Sequence, residues 1–288
     1  MNVVEARGLS KAFGGNKVLN DINFEIHKGS FTALLGKNGS GKSTTINLLM
    51  GNELMDKGEC FLFGESLRSN PTRIKNKIGL VTEKIYFNFE STVEKFIRSY
   101  STLFENYDQS IFFRMADDVG IDLKKNFREY SRGQKMQIVL MSAFAQKPEL
   151  MLIDEVTSVL DAYSRNYFVT ALKNFTLNGG TVVLTTNIVN EIQHQCTEVI
   201  FLLNGSIKFQ TPINEIPSDF IKVRVSPREN ILENVTAALW TGTNSDGSES
   251  FIIPNALIAT LDQSKILQDR RQVTLEDIYV YFSQQDKK

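Results

Sequence analysis

Gly36-Lys37-Asn38-Gly39-Ser40-Gly41-Lys42-Ser43-Thr44 fits the pattern G-x-x-x-x-G-K-S, a phosphate-binding loop. It follows an apolar run, Phe31–Leu35, that reads as a buried strand. It opens a segment, Thr44–Met50, that reads as a helix. Strand, glycine-rich turn and helix in that order predict an α/β protein with an anion site at the turn. The glycines let backbone N–H groups turn inward where a side chain would clash. The start of the helix adds unsatisfied donors and a partial positive charge. Lys42 brings a point charge for the β and γ phosphates of a nucleotide. Ser43 offers a hydroxyl to Mg2+, which takes hard oxygen ligands. The expected nucleotide contacts are Asn38, Gly39, Ser40, Gly41, Lys42, Ser43 and Thr44.

Further strands are expected at Ile78–Thr82, Leu150–Ile153 and Thr181–Thr185. Val199–Leu203 and Ile207–Phe209 flank Asn204-Gly205, the signal for a hairpin with a type I′ turn. Leu150-Met151-Leu152-Ile153 ends in Asp154-Glu155, so a buried strand delivers two carboxylates to the carboxyl edge of the sheet. Asp154 is expected to hold the Mg2+ shell and Glu155 to orient or deprotonate an attacking water. Between Lys84 and Lys147 the texture is helical. Seven phenylalanines lie between Phe87 and Phe127. They read as the core of a small helical subdomain; those near Ile85–Phe89 read equally as the lining of a groove for a partner helix. From Thr211 onward Ile221, Val223 and Val225 alternate with polar residues, a half-buried strand. Thr241–Ser250 reads as a polar loop, and Leu275, Ile278, Tyr279 and Phe282 as one face of an amphipathic helix. Two regions follow: 1–210, with the helical subdomain at about 84–147, and a small α+β appendage over 211–288.

The 288 residues are 42% hydrophobic and 23% charged, the balance of an ordinary soluble globular protein. A net charge of −1 argues against a polyanion partner, so no nucleic acid is expected. No apolar run approaches the ~20 residues that cross a bilayer. Met1-Asn2-Val3-Val4-Glu5 lacks the basic start and apolar middle of a secretory signal. Cys60 and Cys196 have no metal-ligand spacing, and read as buried thiols in a reducing cytoplasm.

Tyr130-Ser131-Arg132-Gly133-Gln134 lies just ahead of the acidic pair. It resembles the Leu-Ser-Gly-Gly-Gln signature loop of ABC transporter ATP-binding subunits, and the resemblance spans roughly residues 3–210. It implies a P-loop NTPase fold of the ABC ATPase type, with a mixed sheet core, a helical subdomain and the appendage. The loop opens a helix whose apolar face is Met136, Val139, Leu140 and Ala143. The resemblance implies that Ser131, Arg132, Gly133 and Gln134 meet the γ-phosphate held by an opposite subunit; Ser131 reads equally as an ordinary helix cap. Thr157-Ser158-Val159-Leu160-Asp161 looks like the family's D-loop, so Asp161 is expected across the dimer. Phe13 sits where the family places an aromatic that stacks on adenine, although a ring there also serves as core.

Three positions depart from the family's pattern. Glu83 stands where a glutamine senses the γ-phosphate and Mg2+, Arg132 replaces a glycine, and Asn187 stands where the family has a histidine. Glu83 is still able to bind Mg2+, and Asn187 to donate through its amide, but Asn187 cannot become cationic. Removing one donor aimed at a developing charge costs ~10²–10³ in rate, so hydrolysis is expected to be slow. His194 lies too far along to replace it and reads as a surface helix residue. Glu83, the signature and Thr274-Leu275-Glu276-Asp277-Ile278-Tyr279 are similar to exporter-type subunits that pair with separate six-helix membrane proteins.

The resemblance therefore implies ATP and Mg2+ as ligands, a second ATP-binding subunit (the same or a different chain) and an integral membrane transporter subunit as partners. The protein is then cytoplasmic and peripherally attached to the membrane through that subunit. The alternative is a soluble nucleotide switch. Only about ninety residues separate the phosphate loop from the signature, too few for the coiled-coil arms of DNA-repair relatives. A small-molecule kinase would share the phosphate loop alone.

Overall fold

The computed structural model describes residues 1–69, 71–82, 91–189, 192–226, 238–260, 266–268 and 273–285. It divides into two compact units, Met1–Gln210 and Thr211–Lys288.

The first unit opens with two twelve-residue strands, β1 (Asn2–Phe13) and β2 (Asn16–His27), paired antiparallel. Gly14 and Gly15 both take positive φ between them, the conformation a tight turn requires of its central residues. With β4 (Lys57–Leu62) and β5 (Glu65–Ser66) they form an antiparallel sheet of order β2-β1-β4-β5. A second sheet contains β3 (Phe31–Leu35), β6 (Ile78–Val81), β7 (Leu150–Asp154), β8 (Thr181–Thr186), β9 (Glu198–Leu203) and β10 (Ser206–Pro212), in the order β10-β9-β3-β8-β7-β6. The β9-β3-β8-β7-β6 portion is parallel. Every residue of β3, β8 and β9 is buried. Continuous apolar runs of that kind belong to a parallel sheet covered on both faces. Asn204 and Gly205 join β9 to β10, both with positive φ, as a type I′ turn demands.

Helix α1 (Lys42–Met50) follows β3, α2 (Pro71–Lys75) precedes β6, and α6 (Ala162–Leu177) links β7 to β8. The first of these begins two residues before the expected Thr44, because the glycine at 41 turns the chain directly into the helix with φ 108°. Helices α3 (Val93–Tyr100), α4 (Gln109–Asp118) and α5 (Arg132–Ala145) form the helical region. Among its rings Phe112 and Phe127 are fully buried. Phe96, Tyr100, Phe104 and Tyr107 make a chain of ring contacts 5.0–6.1 Å apart, each ring only half-buried. The expected groove at Ile85–Phe89 lies outside the described residues, as does Glu83.

The second unit holds α7 (Ile216–Asp219), β11 (Phe220–Val225), β12 (Leu239–Thr243), β13 (Glu249–Pro254), β14 (Ile266–Gln268) and α8 (Leu275–Gln285). Its sheet runs β12-β13-β11-β14. Val223 and Val225 are buried and Ile221 half-buried, and Phe220 packs on Tyr281 and Phe282 of α8. One expectation is corrected here. Thr241–Ser250 is not a loop but most of a hairpin, with Thr243 paired to Glu249 and Gly242 to Ser250. The register shifts between Trp240 and Gly242, and this bulge breaks the alternation that would have announced a strand. Among the described residues no helix is long and apolar enough to cross a membrane.

Candidate functional site

The carboxyl ends of β3, β7 and β8 converge on one edge, and the phosphate-loop residues sit there. Two glycines of the loop are forced by contacts rather than by habit. A Cβ on Gly36 would lie 2.2 Å from the Leu202 carbonyl and 2.5 Å from the Ser40 Oγ. One on Gly41 would lie 2.5 Å from the Leu19 side chain. The loop is therefore packed directly against the ends of β9 and β2. Asn38 and Gly39 are exposed, and Thr44 is half-buried in the first turn of α1. Helix α1 has no side-chain cap at its start, so its first N–H groups remain free to meet an anion. The Ser40 hydroxyl, 4% exposed, has no hydrogen-bond partner among the described residues. A buried hydroxyl without a partner costs free energy unless a ligand supplies one.

Lys42 is buried, and its ammonium donates to the carbonyls of Gly36 (2.9 Å) and Lys37 (3.1 Å). It also pairs with the Glu155 carboxylate at 3.0 Å. Ser43 Oγ donates to Asp154 Oδ1 at 3.1 Å. The same Asp154 oxygen accepts from Thr185 Oγ1 at 2.7 Å. The Thr185 hydroxyl in turn accepts from the Glu155 N–H at 3.0 Å. One buried threonine thus touches both acidic residues. Its position follows from register, since Asp154 of β7 lies opposite Thr185 of β8. Glu155, just past the strand, takes φ 51°, a region that costs a non-glycine residue of order 1–3 kcal/mol and clusters at functional sites. Asn187, two residues after Thr185, is exposed at the same edge.

A second group gathers where α5 and α6 begin. Ser131 caps α5 and exchanges hydrogen bonds with Gln134, the reciprocal pair of a capping box. Arg132 is exposed in the first turn. Gly133 is required by close approach, because a Cβ there would lie 2.9 Å from the Val159 carbonyl. Asp161 caps α6, accepting from Ser164 N–H (2.9 Å) and Ser164 Oγ (2.8 Å). Those bonds hold its carboxyl below the usual range. Ser164 Oγ also accepts from Gln137 Nε2 of α5 at 2.7 Å, so the two helix starts are tied together. Of the expected face of α5, Met136, Leu140 and Ala143 are buried, whereas Val139 is only half-buried.

Phe13, at the end of β1, is 42% exposed with the Lys11 ammonium 4.8 Å from its ring centre. His194 is exposed but lies in a turn rather than on a helix. Cys60 and Cys196 are both buried free thiols. Thr185 is the residue the sequence reading missed, and its signal was a hydroxyl on a strand buried along its whole length.

A parallel sheet carrying a phosphate loop after β3 and a carboxylate pair at the end of β7, with β8 between the two strands, defines a P-loop nucleotide-binding ATPase. Residues 19–158 match the family model described as ABC transporter. The chain is 28% identical over 225 residues to the ABC transporter ATP-binding protein YtrB of Bacillus subtilis (strain 168), covering 78% of this chain and 77% of that one. It is 28% identical over 207 residues to the Nod factor export ATP-binding protein I of Rhizobium leguminosarum bv. viciae, covering 70% and 67%. The fold is shared with a dimeric ATP-binding cassette bound to ADP and Pi, with a TM-score of 0.66 at 21% identity over 73% of this chain and 98% of that one. Residues 19–158 are thus an ABC transporter domain, and the chain is similar to that family's ATP-binding subunits.

Proposed function

We propose that this chain binds ATP with Mg2+ at the Gly36–Thr44 loop and hydrolyses it as one half of a dimer that powers a membrane exporter. The observation that carries the reading is the joining of loop and acids: Lys42 to Glu155, and Ser43 to Asp154. The oxygen donors Ser43 and Asp154 suit Mg2+, a hard cation that keeps waters and takes the remaining ligands from phosphates. When bound, that ion neutralises charge on the phosphates.

The residue roles follow from the contacts. Lys42 is positioned to exchange its carboxylate partner for phosphate oxygens. That exchange frees Glu155 to take a proton from the attacking water. Thr185 holds Asp154 in place throughout. Asn187 donates to the γ-phosphate from the same edge, more weakly than a histidine, so turnover is slow. Phe13 carries the adenine. Ser131, Arg132, Gly133, Gln134 and Asp161 serve the opposite subunit's nucleotide, and Glu83 completes the Mg2+ side. The exporter reading is supported by the Nod factor export relative. A membrane subunit provides the path and tethers the chain to the membrane surface; co-purification with an integral membrane protein tests this.

The decisive experiment is Glu155→Gln. Loss of a general base lowers the rate by ~10²–10⁴, with ATP binding retained. Turnover at the unmodified rate would refute the role.

A further inference from the structure

We propose that Lys11 is a positioning residue of the base site, which backs the Phe13 ring and ties it to the segment leaving the phosphate-loop helix. This rests on the reading of Phe13 as the ring that carries adenine. The Lys11 side chain is only 12% exposed, whereas a lysine near a surface normally extends its ammonium into water. Here the ammonium lies 4.8 Å from the Phe13 ring centre. It donates to the Leu54 carbonyl at 2.8 Å and has Asp56 and Glu53 at 3.6 and 3.8 Å. The neighbouring Ala12 N–H donates to Asp56 Oδ2 at 2.7 Å. The root of the ring is therefore fastened from two sides to residues 53–56, which connect α1 to β4.

Two consequences follow for a base stacked on the ring. The tie fixes the ring relative to the helix whose other end meets the phosphates, so both ends of a nucleotide are referred to one rigid piece; a preorganised platform binds more tightly than one that must be ordered. A cation on one face of an aromatic ring also draws electron density toward itself. That leaves the opposite face better suited to an electron-rich purine. The flanking carboxylates offset the ammonium charge, so the effect of Lys11 falls on the base and not on the triphosphate.

The test measures binding of Mg-ATP and of Mg-tripolyphosphate, which lacks the base, to the full chain and to Phe13→Ala, Lys11→Met, Lys11→Gln and Lys11→Met/Phe13→Ala variants. Lys11→Met is expected to weaken ATP about three- to tenfold, the range of a partly exposed cation–ring contact, with tripolyphosphate unchanged. In the Phe13→Ala background it is expected to add nothing. Lys11→Gln keeps a donor for Leu54 but no charge, and is expected to weaken ATP as Lys11→Met does if both variants melt as the parent does. Equal weakening of both ligands, additive effects with Phe13→Ala, or no change at all overturns the role of Lys11. Undiminished ATP binding by Phe13→Ala overturns the base-site reading itself, a separate failure.

Discussion

At the scale of single residues, both acids of the candidate site touch one threonine. Thr185 donates to Asp154 and accepts from the Glu155 backbone. Thr185→Val keeps the shape and deletes the hydroxyl. Removing a supporting hydrogen bond behind a metal-holding carboxylate costs about 10- to 100-fold in metal affinity. The Mg2+ concentration for half-maximal nucleotide binding should rise by that factor, while binding without Mg2+ stays unchanged and Thr185→Ser restores the parent value. An unchanged Mg2+ requirement would remove Thr185 from the site. The phosphate loop was legible in the sequence because its glycines, lysine and serine are contiguous and their spacing is the signal. Thr185 was not, because its role comes from the pairing of β7 with β8, and nothing local says which strands will be neighbours. The clue was chemical: a hydroxyl on a fully buried strand needs a partner.

At the scale of elements, the strands buried on both faces were readable as apolar runs, and the hairpin at Asn204-Gly205 as a turn. The long β1–β2 pair was not read. Its register shifts at four places, so polar and apolar residues do not alternate cleanly, and Lys11 looks like a surface residue rather than one whose side chain is largely covered. Glycine 133 was legible as part of a motif, but its cause, the Val159 carbonyl against α5, was not. The starts of α5 and α6 are joined through the Ser164 hydroxyl, which lies between Gln137 and Asp161. Ser164→Ala strips the Gln137 amide of that acceptor and removes the hydroxyl bond to Asp161. A buried polar group left without its partner costs about 1–3 kcal/mol. Urea unfolding should show a loss of that size; an unaltered midpoint would mean that the two helix starts are not coupled through this contact.

At the scale of the whole molecule, the two cysteines make stability depend on alkaline pH. Burial pushes both the Cys60 and Cys196 thiols up to about 12. Below the ordinary thiol value both folded and unfolded chains keep these protons, and the contribution is complete. Above it the unfolded chain loses protons that the folded chain retains, so stability falls as pH rises toward 12. The slope is about 1.4 kcal/mol per pH unit for each thiol. Comparing urea unfolding at pH 8 and pH 10.5, a Cys60→Ala/Cys196→Ala variant should lose less stability than the parent; equal losses would count against it. The burial of both thiols was legible in the sequence, since two cysteines without metal-ligand spacing read most plainly as small buried apolar groups.

The turn at Asn204-Gly205 has a bearing on how this chain tolerates change. Tips of two-residue hairpins are ordinarily where a chain accepts inserted residues most cheaply. This tip is wedged into the phosphate cradle: the Gly205 N–H donates to the Ser40 carbonyl, the Gly205 carbonyl accepts from Asn20, and a Cβ there would meet Val18. An epitope tag or reporter placed between Asn204 and Gly205, at what looks like an innocuous bend on the surface, would reach the proposed triphosphate site from behind.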